Sequence, residues 1–478
     1  MGILNFYKWI KESYPSSFKK YYFDTYDHIY IDLNYLLHMS SYGIKTQNEI
    51  IERLSNMIES ILLHCNPTKT VNLLTDGSCS IAKLLLQRKR RLTSMRTLSD
   101  KIKTEKDLET SELNFTPGTK FMNELEKKLE NLIKKIEFVY KIEVKCILDS
   151  EDEAEIKIKR NLMENKINNP NDTHVVVTND ADVVVILSTL EYIHNVFIFF
   201  KDPKVGMQFL SISELLWEHT KKFGLTKNFG LDFGFISILM GNDYLPKINF
   251  LSLDKVWMSY KINTNIHKKS LINNNLEVNS DLLIDILTDS IGLTKRYLIS
   301  KCDIIESRKE LYKNYLDGLM WCFNVYYTGK CERYNYMYEY SDSPNPLALI
   351  LCINNRKDLL KINNIKSLPI EKDLYTILLI PKSAKILIDK KYYDFMNKKI
   401  LLYDEEECND CIKYYKNISE LNKEIKKYDE KSDKYLELKS KISNISKNNI
   451  NHKKLHDPLC SSDIETIITE FNNYKKEI

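Results

Sequence analysis

The stretch VVVTNDADVVVIL, Val175–Leu187, sets two β-branched runs on either side of Asn179, Asp180, Ala181 and Asp182. A run of Val reads as a strand buried on both faces, as in a parallel sheet. Asn and Asp at its end are ordinary turn formers. Two carboxylates two residues apart are equally good oxygen donors for a hard cation. The pair alone leaves both readings open.

The same pattern recurs upstream. HIYID (28–32), VNLLTD (71–76) and VKCILD (144–149) each read as a short buried strand, and each ends in Asp, as VVVTND (175–180) does. Helix-period segments lie at 47–64, 120–136 and 153–164. Strands alternating with helices predict an α/β fold with a mostly parallel central sheet flanked by helices. Ligands of such sheets bind at the strands' carboxyl ends. One strand-ending Asp is a turn; four in one sheet gather at one edge. Smaller mixed and helical parts follow. Residues 250–345 look helical, YTILLIPKSAKIL (375–387) reads as strand, turn and helix, and 421–445 reads as one charged helix. Its heptad positions Leu421, Tyr428, Tyr435, Ile442, Leu438 and Ile445 are apolar, whereas Glu424 and Lys431 are not. That pattern is enough for packing on a body and weak for a coiled coil.

Composition bounds the rest. The 478 residues, 43% hydrophobic, are enough for two or three domains. No apolar run reaches the roughly 18 residues of a membrane helix. The start MGILNFYKWI lacks the regions of a secretory signal, and Phe6 stands where a myristoylation site wants Ser or Thr. Ten scattered cysteines fit a reducing, cytoplasmic setting. Only CNDC (Cys408, Cys411) has metal spacing, and with no second CxxC nearby the expectation is against zinc. The net charge of +4 identifies no partner.

The acids beyond the sheet edge extend the constellation. Asp32 and Asp76 close the first two strands, DSEDEAEIKI supplies Glu153 and Glu155, and ISILMGNDYLP supplies Asp243. With Asp180 and Asp182 these seven form a hard-oxygen set suited to Mg²⁺, with Mn²⁺ as a substitute. Singly, Glu153 reads as the end of a capping box begun by Ser150, and Asp243 as a turn residue. Taken together, they would repel one another without cations. From Lys83 to Lys106 there are nine Lys or Arg against two acids. Lys83, Gln87, Arg90 and Arg91 are spaced to share one helix face, a clasp for a terminal phosphate. Ile81, Leu85, Leu92 and Met95 form the opposite stripe. A bare charge run, by contrast, is a solvated face.

With these residues in place, the sequence resembles the eukaryotic 5′→3′ exoribonucleases, the XRN family. YIDLNYLLH is similar to the family's first acidic motif, at Asp32, Asn34 and His38. DGSCSIAKLLLQRKRR resembles the segment with a metal-binding Asp and the 5′-phosphate pocket, at Asp76, Lys83, Gln87, Arg90 and Arg91. EDEAEIKI matches at Glu153, Glu155 and Lys157, NDADVVVILST at Asp180 and Asp182, and MGNDYLP at Asp243. The resemblance also takes in FTPGTKFM and the aromatic segment GLMWCFNVYYTGKCERYNYMYEY (318–340). It departs at Leu4, Ala154 and Ile156, and Tyr334 and Tyr336 stand where the family has Trp.

The resemblance implies an exoribonuclease domain over 1–345, a second conserved-region-like segment over 346–405, and a charged helical region over 406–478 that resembles nothing known. It implies Mg²⁺-dependent hydrolysis of single-stranded RNA bearing a 5′-monophosphate to 5′-mononucleotides, in mRNA decay downstream of a decapping activity. It also implies that His38 and Tyr334 or Tyr336 sandwich the 5′ base. The compact chain and its Asn, Lys and Ile richness point to a large DNA virus or an AT-rich unicellular genome. Two other functions compete. A 5′ DNA exonuclease or flap endonuclease would carry a Gly-rich helix-hairpin-helix after its last Asp, where this chain reads YLPKINFLSLDKVW. A catalytically weak RNA-binding scaffold would not need all seven acids.

Overall fold

The structure, a computed structural model, describes residues 3, 5–44, 46–98, 105–148, 151–191, 193–202, 205–224, 226–293, 309–340, 343–398, 400–429, 432–449, 452 and 461–477. Seven strands form one sheet: β1 (Phe18–Lys19), β2 (Tyr26–Asp32), β3 (Pro67–Leu74), β4 (Glu143–Ile147), β5 (His174–Val177), β6 (Val196–Asp202) and β7 (Gly206–Ser211). Their order is β1-β7-β6-β5-β2-β3-β4. The pairs β2/β3, β3/β4, β2/β5 and β5/β6 are parallel, and β6/β7 and β1/β7 antiparallel. The mainly parallel α/β class is as predicted. The antiparallel edge of β7 and β1 is an addition that the strand-helix alternation did not foretell.

The topology explains why the strand ends matter. From β2 the chain builds outward through β3 and β4, then returns to place β5 on the other side of β2. The strand order therefore reverses at β2/β5, the switch point where open α/β sheets bind ligands. Register holds the ends level: Asp32 lies opposite Leu74, and Ile31 opposite both Leu73 and Val177. The residues just beyond, Asp76 and Asp180, leave from the same edge. Asp149, expected to close β4, lies outside the described residues, as does Ser150.

Contacts divide the chain into two compact units. One comprises residues 1–39, 53–83 and 126–369; the other comprises 40–52, 84–125 and 370–478. The expected linear order of three domains does not describe this division, because two sheet-to-helix excursions join the C-terminal residues. Such long-range partnerships leave no mark on local composition.

Two local expectations need correction. Residues 375–387 hold no strand: Lys372–Leu379 is α-helical and Lys382–Leu387 is 3₁₀, divided by Pro381. A short buried apolar run cannot be told from a strand by periodicity, and Tyr375–Leu379 is fully buried. The single charged helix is two, Asn409–Ile425 and Asp433–Asn448. The second begins at Ser432, whose side chain accepts the backbone N–H of Tyr435 at 3.3 Å as an N-cap.

Candidate active site

Hydrogen bonds hold several of these acids in place. Asp32 ends β2, where its carboxylate accepts the Tyr35 N–H at 3.3 Å and the Thr178 hydroxyl at 3.2 Å. Asp76 follows β3. The Gly77 N–H donates to Asp152 O at 2.8 Å and the Asp152 N–H to Ser78 O at 3.1 Å. This pairing of two loops brings Asp76 to the start of the helix Ala154–Asn168, where its Oδ1 accepts the Ala154 N–H at 3.0 Å. An anion suits that position because first-turn N–H groups lack helical partners. Glu153 is the N-cap of this helix, not the third residue of a capping box, and its side chain makes no cap bond.

Asp180 accepts the Asp182 N–H at 2.9 Å, which tightens the turn into the helix Asp182–Ser188. Asp243 depends on Gly241, whose φ of +85° favours glycine and whose added Cβ would lie 2.6 Å from Lys247 N. Asn242 then accepts the N–H groups of Tyr244 at 3.0 Å and Leu245 at 2.9 Å, building an Asx turn that presents Asp243.

The seven acids are brought within electrostatic reach of one another. Burial, then Asp76, pushes the Asp32 carboxyl up to about 7. Burial and Asp180 hold Glu155 well above the usual carboxylate range; burial, Asp180 and Asp243 do the same for Asp182. Burial raises Glu153 too, against the nearby Lys83 ammonium. Lys83 is buried among them, bonding Glu153 and, at 2.8 Å, Asp243. Burial pulls its ammonium down, but the surrounding carboxylates outweigh this and hold it well above its ordinary value. Lys157 is a second buried cation facing Asp76.

This donor set fits a hard divalent cation. Asp182 Oδ1 is buried with no hydrogen-bond partner among the described residues, a costly state that a cation relieves. Among the described residues, no three of these acids bring oxygens within 4.8 Å of one another. Glu153 and Asp243 bond Lys83, and Asp76, Glu155 and Asp182 lie within its electrostatic reach.

The other expected site residues separate. Lys83, Gln87, Arg90 and Arg91 do lie on one helix, Ile81–Leu98. Lys83 falls in the first compact unit and the other three in the second. Gln87 is buried and accepts the Tyr375 hydroxyl at 3.0 Å, whereas Arg90 and Arg91 are partly exposed. Arg88, which the sequence reading passed over, is buried and donates to Leu378 O at 2.5 Å and to Leu402 O.

His38 is exposed in the last turn of Leu33–Ser40. Tyr336 is 1% exposed and stacks on Trp321 at 4.6 Å, its hydroxyl donating to Asn314 O at 3.2 Å. Tyr334 is buried too and donates to Asp152 at 2.7 Å. Their carbonyls accept the Ile81 N–H at 2.8 Å and the Ala82 N–H at 3.1 Å. The expected base platform is corrected accordingly: in this structure both rings are core, and the segment straps down the start of the Lys83 helix. Spacing from Cys331 could place these tyrosines in sequence but could not reveal their burial. Tyr244 also escaped the sequence reading; its hydroxyl donates to Glu153. Its place beside Asp243 in DYLP was the available signal.

A mainly parallel sheet with buried carboxylates at its switch point defines an α/β protein with an acidic site at the strand ends. Residues 1–201 match the family model described as XRN 5'-3' exonuclease N-terminus. The chain is similar to 5'-3' exoribonuclease 1 of Homo sapiens, at 30% identity over 151 residues, 28% of this chain and 9% of that protein. Against the Saccharomyces cerevisiae protein of the same name it is 30% identical over 216 residues, 40% of this chain and 14% of that protein. Against the Schizosaccharomyces pombe protein it is 27% identical over 216 residues, 39% of this chain and 16% of that protein. The chain thus matches well under two thirds of the length of these relatives. Among solved structures, the catalytic core of Rad2 in complex with DNA substrate aligns with a TM-score of 0.36 at 12% identity, over 79% of this chain and 100% of that chain.

Proposed function

We propose that this chain is a 5′→3′ exoribonuclease that hydrolyses single-stranded RNA bearing a 5′-monophosphate stepwise to 5′-mononucleotides. The observation that carries this reading is the mutual electrostatic reach of Asp32, Asp76, Glu153, Glu155, Asp180, Asp182 and Asp243, with Lys83 buried among five of them. These acids would hold Mg²⁺, with Mn²⁺ as a substitute. Such an ion supplies positive charge at the scissile phosphate and acidifies a water. The residues of the chain do the rest. Asp76 and Asp180 keep their places through backbone N–H bonds. Tyr244 and Lys83 orient Glu153.

Lys83, Gln87, Arg90 and Arg91 are the proposed clasp for the 5′-phosphate, since one helix presents them at helical spacing. His38 is retained as the exposed ring on which the first base stacks. The reading places the protein in mRNA decay in the cytoplasm, consuming the 5′-monophosphate ends that a decapping activity leaves. No helix of the described residues is long and apolar enough to cross a membrane. The test is digestion, with Mg²⁺, of 5′-monophosphate RNA, 5′-triphosphate RNA and single-stranded DNA. The reading expects rapid release of mononucleotides from the first alone. Equal cleavage of DNA would shift it to a 5′ DNA exonuclease, and no cleavage of any would leave an RNA-binding scaffold.

A further inference from the structure

CNDC, set aside in the sequence for want of a second CxxC, acquires a third donor in the fold. Cys408, Cys411 and His452 place one ligating atom each within 4.8 Å of one another. Among the described residues this is the one such group of His, Cys, Asp or Glu. Cys408 Sγ lies 3.3 Å from His452 Nε2. Cys411 is 2% exposed.

The convergence follows from two helices of nearly equal length. Asn409–Ile425 has 17 residues and Asp433–Asn448 has 16, so each runs about 25 Å at 1.5 Å per residue. Folded back on each other, they return the chain after the second to the start of the first. The Tyr414 hydroxyl donates to Ser446 Oγ at 3.2 Å. Tyr414 lies six residues after Cys408 and Ser446 six before His452, so the two contacts share one antiparallel register. Cys408 is the N-cap of the first helix and Cys411 sits in its first turn, which turns both sulfurs toward the same end of the hairpin.

The hairpin has little else to close it. The first helix buries only Cys411 and Leu421, and the second, among its described side chains, only Leu438. Helices with so thin an apolar seam are the usual clients of a structural metal.

We propose that Cys408, Cys411 and His452 bind a structural zinc ion that closes this hairpin. Two thiolates and an imidazole select Zn²⁺ over Mg²⁺ or Mn²⁺, which prefer oxygen. Zn–S and Zn–N bonds of about 2.3 and 2.0 Å around a tetrahedron set their donor atoms roughly 3.5–3.8 Å apart, a span the observed spacing matches with little rearrangement. Binding releases the thiol protons to solvent as the Zn–S bonds form. The site is independent of the acidic cluster and of the proposed nuclease activity.

The test is metal content of the full chain, purified from zinc-supplemented medium under reducing conditions without chelator. About one zinc ion per chain is expected, retained in excess Mg²⁺. The double variant Cys411→Ser, His452→Ala should lose it, His452→Cys should keep it, and Asp180→Ala with Asp182→Ala should keep it. Should the double variant misfold, the parent decides alone: its metal-free, reduced form should take up Co²⁺ with an intense thiolate-to-cobalt absorption. Zinc-free parent protein with no such absorption would overturn the proposal. Zinc retained in the double variant, or lost with the two aspartates, would overturn it equally.

Discussion

Lys83 and Asp243 stand 160 residues apart in the chain, yet the Lys83 ammonium lies 2.8 Å from Asp243 Oδ2, with both side chains buried. Glu153 shares the same ammonium. One cation thus offsets part of a seven-acid cluster. Removing one partner of a buried pair leaves the others uncompensated, at a cost of about 3–5 kcal/mol. Lys83→Met should therefore lower the unfolding free energy from urea titration in chelator by that order, with a lower midpoint, and Mg²⁺ should recover part of the loss. An unchanged midpoint would mean that the ion pair contributes nothing.

Asp182 tests the acids directly. Its Oδ1 is the buried oxygen lacking a protein partner, so Asp182→Ala should leave the fold intact or stabilise the metal-free form. Cleavage should fall by on the order of 10² to 10³ or more, the scale for losing a preorganised electrostatic element. A folded Asp182→Ala protein with near-parental turnover removes this residue from the mechanism.

End selection tests the basic helix. Arg90→Ala with Arg91→Ala should erase the preference for 5′-monophosphate over 5′-hydroxyl RNA, measured as the ratio of single-turnover rates. Both side chains are partly exposed, so stability should change little. A preserved ratio would place the phosphate clasp elsewhere.

Tyr336 separates packing from base stacking. Its ring is 1% exposed against Trp321, and a Cβ added at Gly318 would fall 1.7 Å from its hydroxyl oxygen. Tyr336→Ala should destabilise by about 3–5 kcal/mol, as large aromatic truncations do, and Tyr336→Trp should also destabilise through overpacking. His38→Ala should instead weaken RNA binding without moving the melting temperature. Processivity lost in a fully stable Tyr336→Ala protein would return this ring to the base platform.

The pH dependence has a definite sign. Burial and Asp76 raise Asp32 from 3.8 to about 7. A raised carboxyl holds its proton more tightly in the folded state, so its contribution is complete below about pH 4 and is lost as pH rises toward 7. Each tenfold gain in proton affinity on folding corresponds to about 1.4 kcal/mol. The melting temperature in chelator should fall across this window, and the gain on adding Mg²⁺ should grow with pH. Asp232, raised by burial to about 6, adds a decline of the same sign that Mg²⁺ should not reverse. A Mg²⁺ effect independent of pH would argue that these carboxylates do not take the ion.

The sequence by itself determined the β-α alternation and the seven acids of the sheet edge, because strands have a short period and turn residues are local. Val175–Val177 with Asp180 and Asp182 could be read in isolation, since a buried parallel strand must be apolar throughout and its end must turn. Only the tertiary structure decided which polar and aromatic residues face inward. Lys83 is buried against Glu153 and Asp243, Tyr334 and Tyr336 went to the core, and His452 came to Cys408. Each outcome depends on a partner tens to hundreds of residues away. Burial of a polar group is set by what packs over it, which no local periodicity records.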